Sequence, residues 1–485
     1  MSLNKEDIIK LSTIISDYAN PEKSKREQSE IQLKELRNKN LGMLSLGLLE
    51  ISASNEFSET IKLTSLVLLR KIIELDSKEH WGSIEQGIKE KMKLTSLNII
   101  FIEQIYNNRN LMNNAISVVE QILKSVVDFN EEWPQLLELT KNIYNFYFPQ
   151  DISKIYAIVK LIKNCIFYLS NKLFSEINKL NNYFLPIFQN EITNDNKKDI
   201  KVIEKILELK VLICTFYSEL LTYNIDDISN LIINSYAINI IVNTLNDCIF
   251  FLKGKDSKFE NLTSELLDSM DFLTSMGILE SFPEYQIKLC QLYYSIIETN
   301  DNSIQKIKEQ SFHKIIDIFL LKTLPKEELE SSLKKFLDCL FKYGFNDLNS
   351  HFNESNAEFS SIAGVYTNYD KVPKVFYDVL NFIFEITSQI IEENEKNIIK
   401  ELCISLINNS NIIYKYTGLM LFPQIIESCN KFCEVESLVP VILENLKNQN
   451  NQIRYAASYC LSYFVYHYKY HFIKNFAKRR IRIFT

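Results

Sequence analysis

Glycine and proline number only nine each in 485 residues. Strand-and-turn architectures need far more of this punctuation, so an all-β or α/β chain is argued against. Histidine is scarcer still, at five, which leaves little for acid–base work. There is no GxxxxGKS/T loop, no GxGxxG after a strand, no HExxH and no GxSxG. The chain therefore reads as a non-enzyme with no cofactor. No CxxC occurs; the nine cysteines sit mostly inside apolar text such as LIKNCIFYL and KVLICTFY. Free buried thiols of that kind point to a reducing compartment, the cytosol or nucleus. No run of 18 uncharged apolar residues occurs, so no membrane span is expected. The start, MSLNKEDIIKLS, carries two acids and no long apolar core, unlike a signal peptide. A basic excess is also missing: the net charge is −7. Proteins that neutralise phosphates carry a basic stripe, so nucleic acid is not an expected partner, and basic partners are.

What is present is helical text almost to the end. Leu, Ile, Phe and Tyr recur at helical spacing between Lys, Glu, Asn and Ser. The periodicity predicts helices over about 5–17, 22–38, 40–53, 57–75, 83–106, 111–127, 134–147 and 151–171. On the second, Ile31, Leu33 and Leu36 form the apolar side. Asn20-Pro21, Ser58 before Glu59, and Trp133-Pro134 are start signals. Breaks follow near 191–197, 223–228, 254–258, 298–303 and 323–327. The stretch 344–370 loses its periodicity, gathers Asn, Ser and Gly, and reads as a long loop or insertion. Helices resume over about 372–392, 396–408, 412–428, 435–447 and 451–470. Connections of two to six residues make neighbouring helices antiparallel.

Three helical segments share a pattern built around a cation. They are TIKLTSLVLLRKI from Thr60, IYKYTGLMLFPQI from Ile413 and QIRYAASYCLSYF from Gln452. Lys62, Lys415 and Arg454 align, and one residue later each is followed by a small pair: Thr64-Ser65, Thr417-Gly418, Ala456-Ala457. Small side chains let the second helix of one hairpin approach the next hairpin closely. A cation at a helix start is disfavoured by the helix dipole, so one kept there suggests a specific partner in the turn or the neighbouring repeat. Pro186 and Pro440 lie in apolar helical text, where they either kink a helix or begin one. A period near 40 residues, hairpin units and no strand text predict an all-α, HEAT-repeat α-solenoid of about ten to eleven hairpins.

The motifs carry a resemblance. REQSEIQLKELRN, ETIKLTSLVLLRKII and NEEWPQLLELTKNIYN are similar to the opening repeats of the importin-β (karyopherin-β) superfamily. YKYTGLMLFPQIIESC and ILENLKNQNNQIRYAASYCLSYF resemble its karyopherin β3 type. The similarity covers about 22–150 and 371–467. It implies importin-β-like repeats over 1–130, further HEAT repeats over 131–343 and 371–470, an inter-repeat insertion at 344–370 and an atypical basic tail over 471–485. It also implies a nuclear transport receptor, likened in its N-terminal portion only, shuttling as a monomer between cytoplasm and nucleus. Its partners would be a Ran-like small GTPase in the GTP form, basic protein cargo and Phe-Gly nucleoporins. Lys62, Arg70 and Lys71 on the second inner helix are the expected GTPase contacts.

The chain departs from the family pattern in three places. Asn448 stands where the family has an aspartate paired with the repeat arginine, a bond weaker by ~1 kcal/mol. The insertion keeps only Asp347, Glu354, Glu358 and Asp370 as acids. Similarity stops after Tyr468, so the chain is expected to be the first part of a longer array. A HEAT scaffold without GTPase binding and an inactive truncated receptor are the competing readings. His467 and His471, four apart, could meet Cys429 and Cys433, but structural zinc sites favour tighter spacing, so no metal is expected. KRRIR at 478–482 reads as a basic tail rather than an address.

Overall fold

The computed structural model describes residues 4–75, 81–189, 200–223, 231–252, 257–271, 273, 278–299, 304–354, 393–428 and 436–472. Among them every regular element is a helix. Two compact units are present: residues 1–250 with 268–272, and residues 251–267 with 273–485.

The first unit begins with α1 (Lys5–Tyr18), α2 (Lys23–Lys39), α3 (Leu41–Ala53) and α4 (Glu59–Leu75). Asn4 caps α1, its side chain accepting from the Asp7 amide at 2.8 Å. α2 buries only Ser29; Ile31 and Leu36 stay exposed, against the expected apolar side. Its charge density leaves too narrow an apolar stripe to pull both inward. α3 is the reverse, with Leu44, Leu46, Leu48, Leu49 and Ile51 all buried, because α1, α2, α4 and α5 (Gln86–Ile99) surround it. Next come α6 (Glu103–Tyr106), α7 (Arg109–Asp128), α8 (Pro134–Asn142), α9 (Ile152–Asn164), α10 (Ile166–Ser175), α11 (Ile177–Gln189), α12 (Ile200–Tyr223) and α13 (Leu231–Leu252). α1, α3 and α5 pack in one row; α4, α7, α9 and α12 pack in a second. That is the stacking of helical hairpins that the 40-residue period predicts.

The second unit holds α14 (Ser257–Ser269, its first eleven residues), α15 (Pro283–Ile297), α16 (Gln305–Leu320), α17 (Lys326–Glu354), α18 (Glu393–Ile407), α19 (Ile412–Ser428), α20 (Val439–Asn445) and α21 (Asn451–Phe472). α15, α17, α19 and α21 form its continuous row, with α16, α18 and α20 paired to α15, α19 and α21.

Three expected segments change. The helix over 83–106 ends at Ile99 and turns before α6, and the helix over 151–171 breaks at Cys165. Both breaks are buried: Ile99, Ile100 and Ile105 in one, Ile162, Cys165 and Ile166 in the other. Apolar text runs through them without polar punctuation, so periodicity alone sees one helix. Third, residues 344–354, expected as loop, continue α17; 355–392 lie outside the described residues, with the rest of the expected insertion and the helix at 372–392. Pro186 is inside α11, whereas Pro440 begins α20. Cys429, Cys433 and the tail from 473 also lie outside the described residues.

Candidate interaction surface

α4 starts where Ser58 offers its carbonyl to the Lys62 amide at 3.0 Å. Lys62 is fully buried, and its Nζ donates to Gln104 Oε1 on α6 of the next hairpin. Burial depresses its pKa, against the raising pull of Glu59. Thr64 and Ser65 return their hydroxyls to Thr60 and Ile61 carbonyls at 2.8 Å, so these small polar residues need no outside partner. Two turns on, Arg70 is half-buried with its Nε enclosed and without a hydrogen bond, and Lys71 is exposed. At 1.5 Å per residue, Lys62 stands ~12 Å along the axis from this pair. The three expected GTPase contacts are therefore not one cluster: Arg70 and Lys71 reach the surface and Lys62 lies in the seam between hairpins.

The Lys62–Gln104 bond is one of several polar bonds that join a residue to a partner one repeat later. Lys89 and Lys93 on α5 donate to Glu131 Oε1 and Oε2 at 2.7 and 3.1 Å. Trp81 Nε1 adds a bond to Glu131 at 3.2 Å, and the Lys89 ammonium lies 5.4 Å from the Trp81 ring centre. Lys210 on α12 meets Asp247 on α13 at 2.7 Å. In the second unit Gln286 donates to Thr323 at 2.7 Å and Tyr294 to the Ser332 carbonyl at 2.6 Å. Apart from Trp81 and Glu131, which are 50 apart, these partners are 37 to 42 residues apart in sequence. Buried donors and charges must be paired, and here each seam supplies the pair. The alignment of cations finds Lys62 but misses Lys89, Lys93 and Lys210. For Lys210 the available signal was a lysine inside apolar helical text, LELKVLIC, with an acid 37 residues on; Lys89 and Lys93 stand in charged text and carry none.

Arg454 behaves differently from Lys62. Its guanidinium donates to the Asn448 and Gln449 carbonyls at 2.7 and 2.9 Å, in the turn before its own helix, and to Asn451 Oδ1 at that helix's first residue. It fastens that turn rather than reaching laterally. It does meet Asn448, but through the main chain; the Asn448 side chain accepts from the Asn450 amide at 3.0 Å. Lys415 is half-buried at the matching position. Ala456 and Ala457 are fully buried. A Cβ on Gly418 would fall 2.8 Å from the Ile407 nitrogen and 2.9 Å from Leu406 Cβ on α18. The small residue at 418 thus brings together the two helices of one hairpin, where the expectation placed such pairs between hairpins.

A polar cleft of about 680 Å³ opens at the N-terminal ends of α4 and α7. Asn55 and Glu59 form one wall, and Ile102 to Gln104 with Asn107 to Asn110 form the other. Among the described residues, no group of His, Cys, Asp and Glu is placed to hold a metal ion. No described helix is long and apolar enough to cross a membrane.

No protein-family model matches the chain, and no curated protein matches it. Solved structures do. Kap121p superposes with a TM-score of 0.67 at 13% identity over 98% of this chain. Yeast importin-β (Kap95p) gives 0.59 at 12% over 97%, and an importin-β crystallised in ammonium sulfate gives 0.59 at 11% over 94%. At these identities the likeness is one of fold, a HEAT-repeat α-solenoid of the karyopherin kind. The chain spans 42% of Kap121p and 52% of Kap95p.

Proposed function

We propose that this chain works as the N-terminal part of an importin-β-type nuclear transport receptor, nearest in pattern to the karyopherin β3 type. The observation that carries the reading is the superposition along nearly the whole chain on Kap121p and on importin-β structures. The cation-marked inner helices of the sequence fall within that superposed length. Kap121p is known in a complex with Pho4p. On this reading the chain is a monomeric binding protein rather than an enzyme, passing between cytoplasm and nucleus. It takes basic protein cargo, as its net charge of −7 suits. Phe-Gly nucleoporins would use shallow grooves between outer helices.

A Ran-like GTPase in its GTP form would dock on α4 through Arg70 and Lys71. Arg70 is apt because it is only half-buried, beside the exposed Lys71, and a guanidinium can pair a carboxylate through two parallel bonds. Lys62 contributes indirectly, by holding α6 against α4. The test is retention of GTP-loaded and GDP-loaded GTPase on the immobilised chain. Retention of the GTP form alone is expected, weakened ~tenfold by Arg70→Glu/Lys71→Glu, since 1.4 kcal/mol is tenfold in affinity. Binding without nucleotide preference, or none, overturns it in favour of a scaffold.

A further inference from the structure

Lys62 is matched differently from the other seam lysines. Lys89, Lys93 and Lys210 each end on a carboxylate. Lys62 ends on a neutral amide, Gln104 Oε1. Its side chain is fully buried, and an ammonium has three donors to satisfy. A buried charge without an opposite charge is costly, so this arrangement stands against a penalty. The depressed pKa of Lys62 has the same cause, its loss of water.

An acid is within reach. Glu59 lies three residues earlier on α4, where side chains so spaced have Cβ atoms about 5–6 Å apart. Its charge acts on Lys62, yet no bond joins the two; Glu59 accepts from Asn108 Nδ2 at 3.0 Å. A carboxylate has about four acceptor sites, so Glu59 keeps room for an ammonium. Gln104 and Glu59 are both exposed and both line the polar cleft of about 680 Å³. The group that covers the ammonium is therefore a surface side chain with open space before it. α6, which carries Gln104, is a single turn of four residues, too short to hold its helical form alone. It packs on α7 and α9 with Ile105 fully buried, and Lys62 ties it to α4.

We infer that Lys62 is a releasable latch between the second and third hairpins: it holds Gln104 while the seam is closed and turns back to Glu59, on its own helix, when α6 moves away. Release exchanges a bond to an amide for an ion pair at the surface and returns the ammonium to water, so the two states are nearly balanced. The seams built on Glu131 and Asp247 lack such a second station, because their lysines already hold their acids. The latch does not depend on the transport reading.

Amide hydrogen exchange of the full chain tests it. The reporters are the Tyr106, Asn107 and Asn108 amides, bonded to the Ile102, Glu103 and Ile105 carbonyls at 3.1 to 3.2 Å. Glu59→Gln removes the second station, while the new amide oxygen can still accept from Asn108. These amides should then exchange ~twofold more slowly, the worth of an ion pair three residues apart on a helix. Were Lys62 fixed on Gln104, losing the Glu59 charge would strand the ammonium further and speed exchange instead. Gln104→Glu puts an anion at the closed station and should slow exchange ~tenfold. Gln104→Ala frees the latch and should speed it to a similar degree. On that background Glu59→Gln should have no further effect. Faster or unchanged exchange in Glu59→Gln, or the same slowing where residue 104 is already alanine, overturns the inference. Should Gln104→Ala lose its helical circular dichroism, the sign of the change in Glu59→Gln alone decides.

Discussion

Glu131 carries three bonds at a seam: two from lysines and one from Trp81. Burial works against its charge, but the hydrogen bonds and charges of Lys89 and Lys93 outweigh it and hold its pKa below the ordinary 4.5. The sign follows from linkage. A carboxylate depressed in the fold contributes stability that is complete above the unfolded value of about 4.5 and is lost as pH falls through the folded value. Glu131→Gln leaves the nearly buried Lys89 ammonium without its anion and Lys93 with only Glu90 and the Glu132 carbonyl, a loss of about 3 kcal/mol. Denaturant melts should show that loss at neutral pH. The gap between parent and variant should close as the pH falls below the unfolded value and through the lower folded one. A constant gap would mean that Glu131 is not ionised in the fold. Neither this residue nor its lysines stood out in the sequence, because a lysine in helical text looks like any solvated charge until the fold removes the water from it.

Single helices were legible where polar residues punctuate them. α1, α3, α7 and α19 begin and end within two residues of the periodic text, and Pro134 starts α8 as its type predicts. Legibility failed where a turn is itself apolar, as at Ile100 and Cys165. It failed again in the reverse case, at 344–354, where a polar, Asn- and Ser-bearing stretch is helical. The cations at aligned positions were found, but not their direction. Whether Lys62 points across a seam and Arg454 into its own turn depends on what the next hairpin offers, which local text does not contain. Gly418 shows how tightly two helices of a hairpin can be set. Gly418→Ala places a methyl against the backbone of Ile407, which cannot yield as a flexible side-chain tip would. The gain in helix propensity, about 1 kcal/mol, is outweighed by an overpacking cost of roughly 1–3 kcal/mol or more. A lowered thermal midpoint is expected; an unchanged one would mean that α18 and α19 stand further apart.

Across the whole molecule, stability should be local. Stacked hairpins touch only their neighbours, so each seam adds its own increment and damage stays near its origin. Hydrogen exchange read by mass spectrometry tests this on Glu131→Gln. Protection should fall in α5 and α7 and remain at its parental level in α19 and α21. A uniform fall along the chain would mark one cooperative body instead. The architecture itself was the most legible level, since a period near 40 residues and the absence of turn residues leave few alternatives. The candidate site was the least: of three cations chosen on one helix, the fold buries Lys62, half-buries Arg70 and exposes Lys71.

The bonds that cross the seams are all different: lysine to glutamine, paired lysines to glutamate, lysine to aspartate, glutamine to threonine, tyrosine to a carbonyl. Repeats that grow by duplication start out interchangeable. Here a hairpin moved to another place in the array would bring a donor to face a donor, or strand a charge, so each seam acts as an address. Reordering by recombination would be rejected even though every hairpin has the same outline. The array can lengthen or shorten at its ends far more readily than it can be shuffled within.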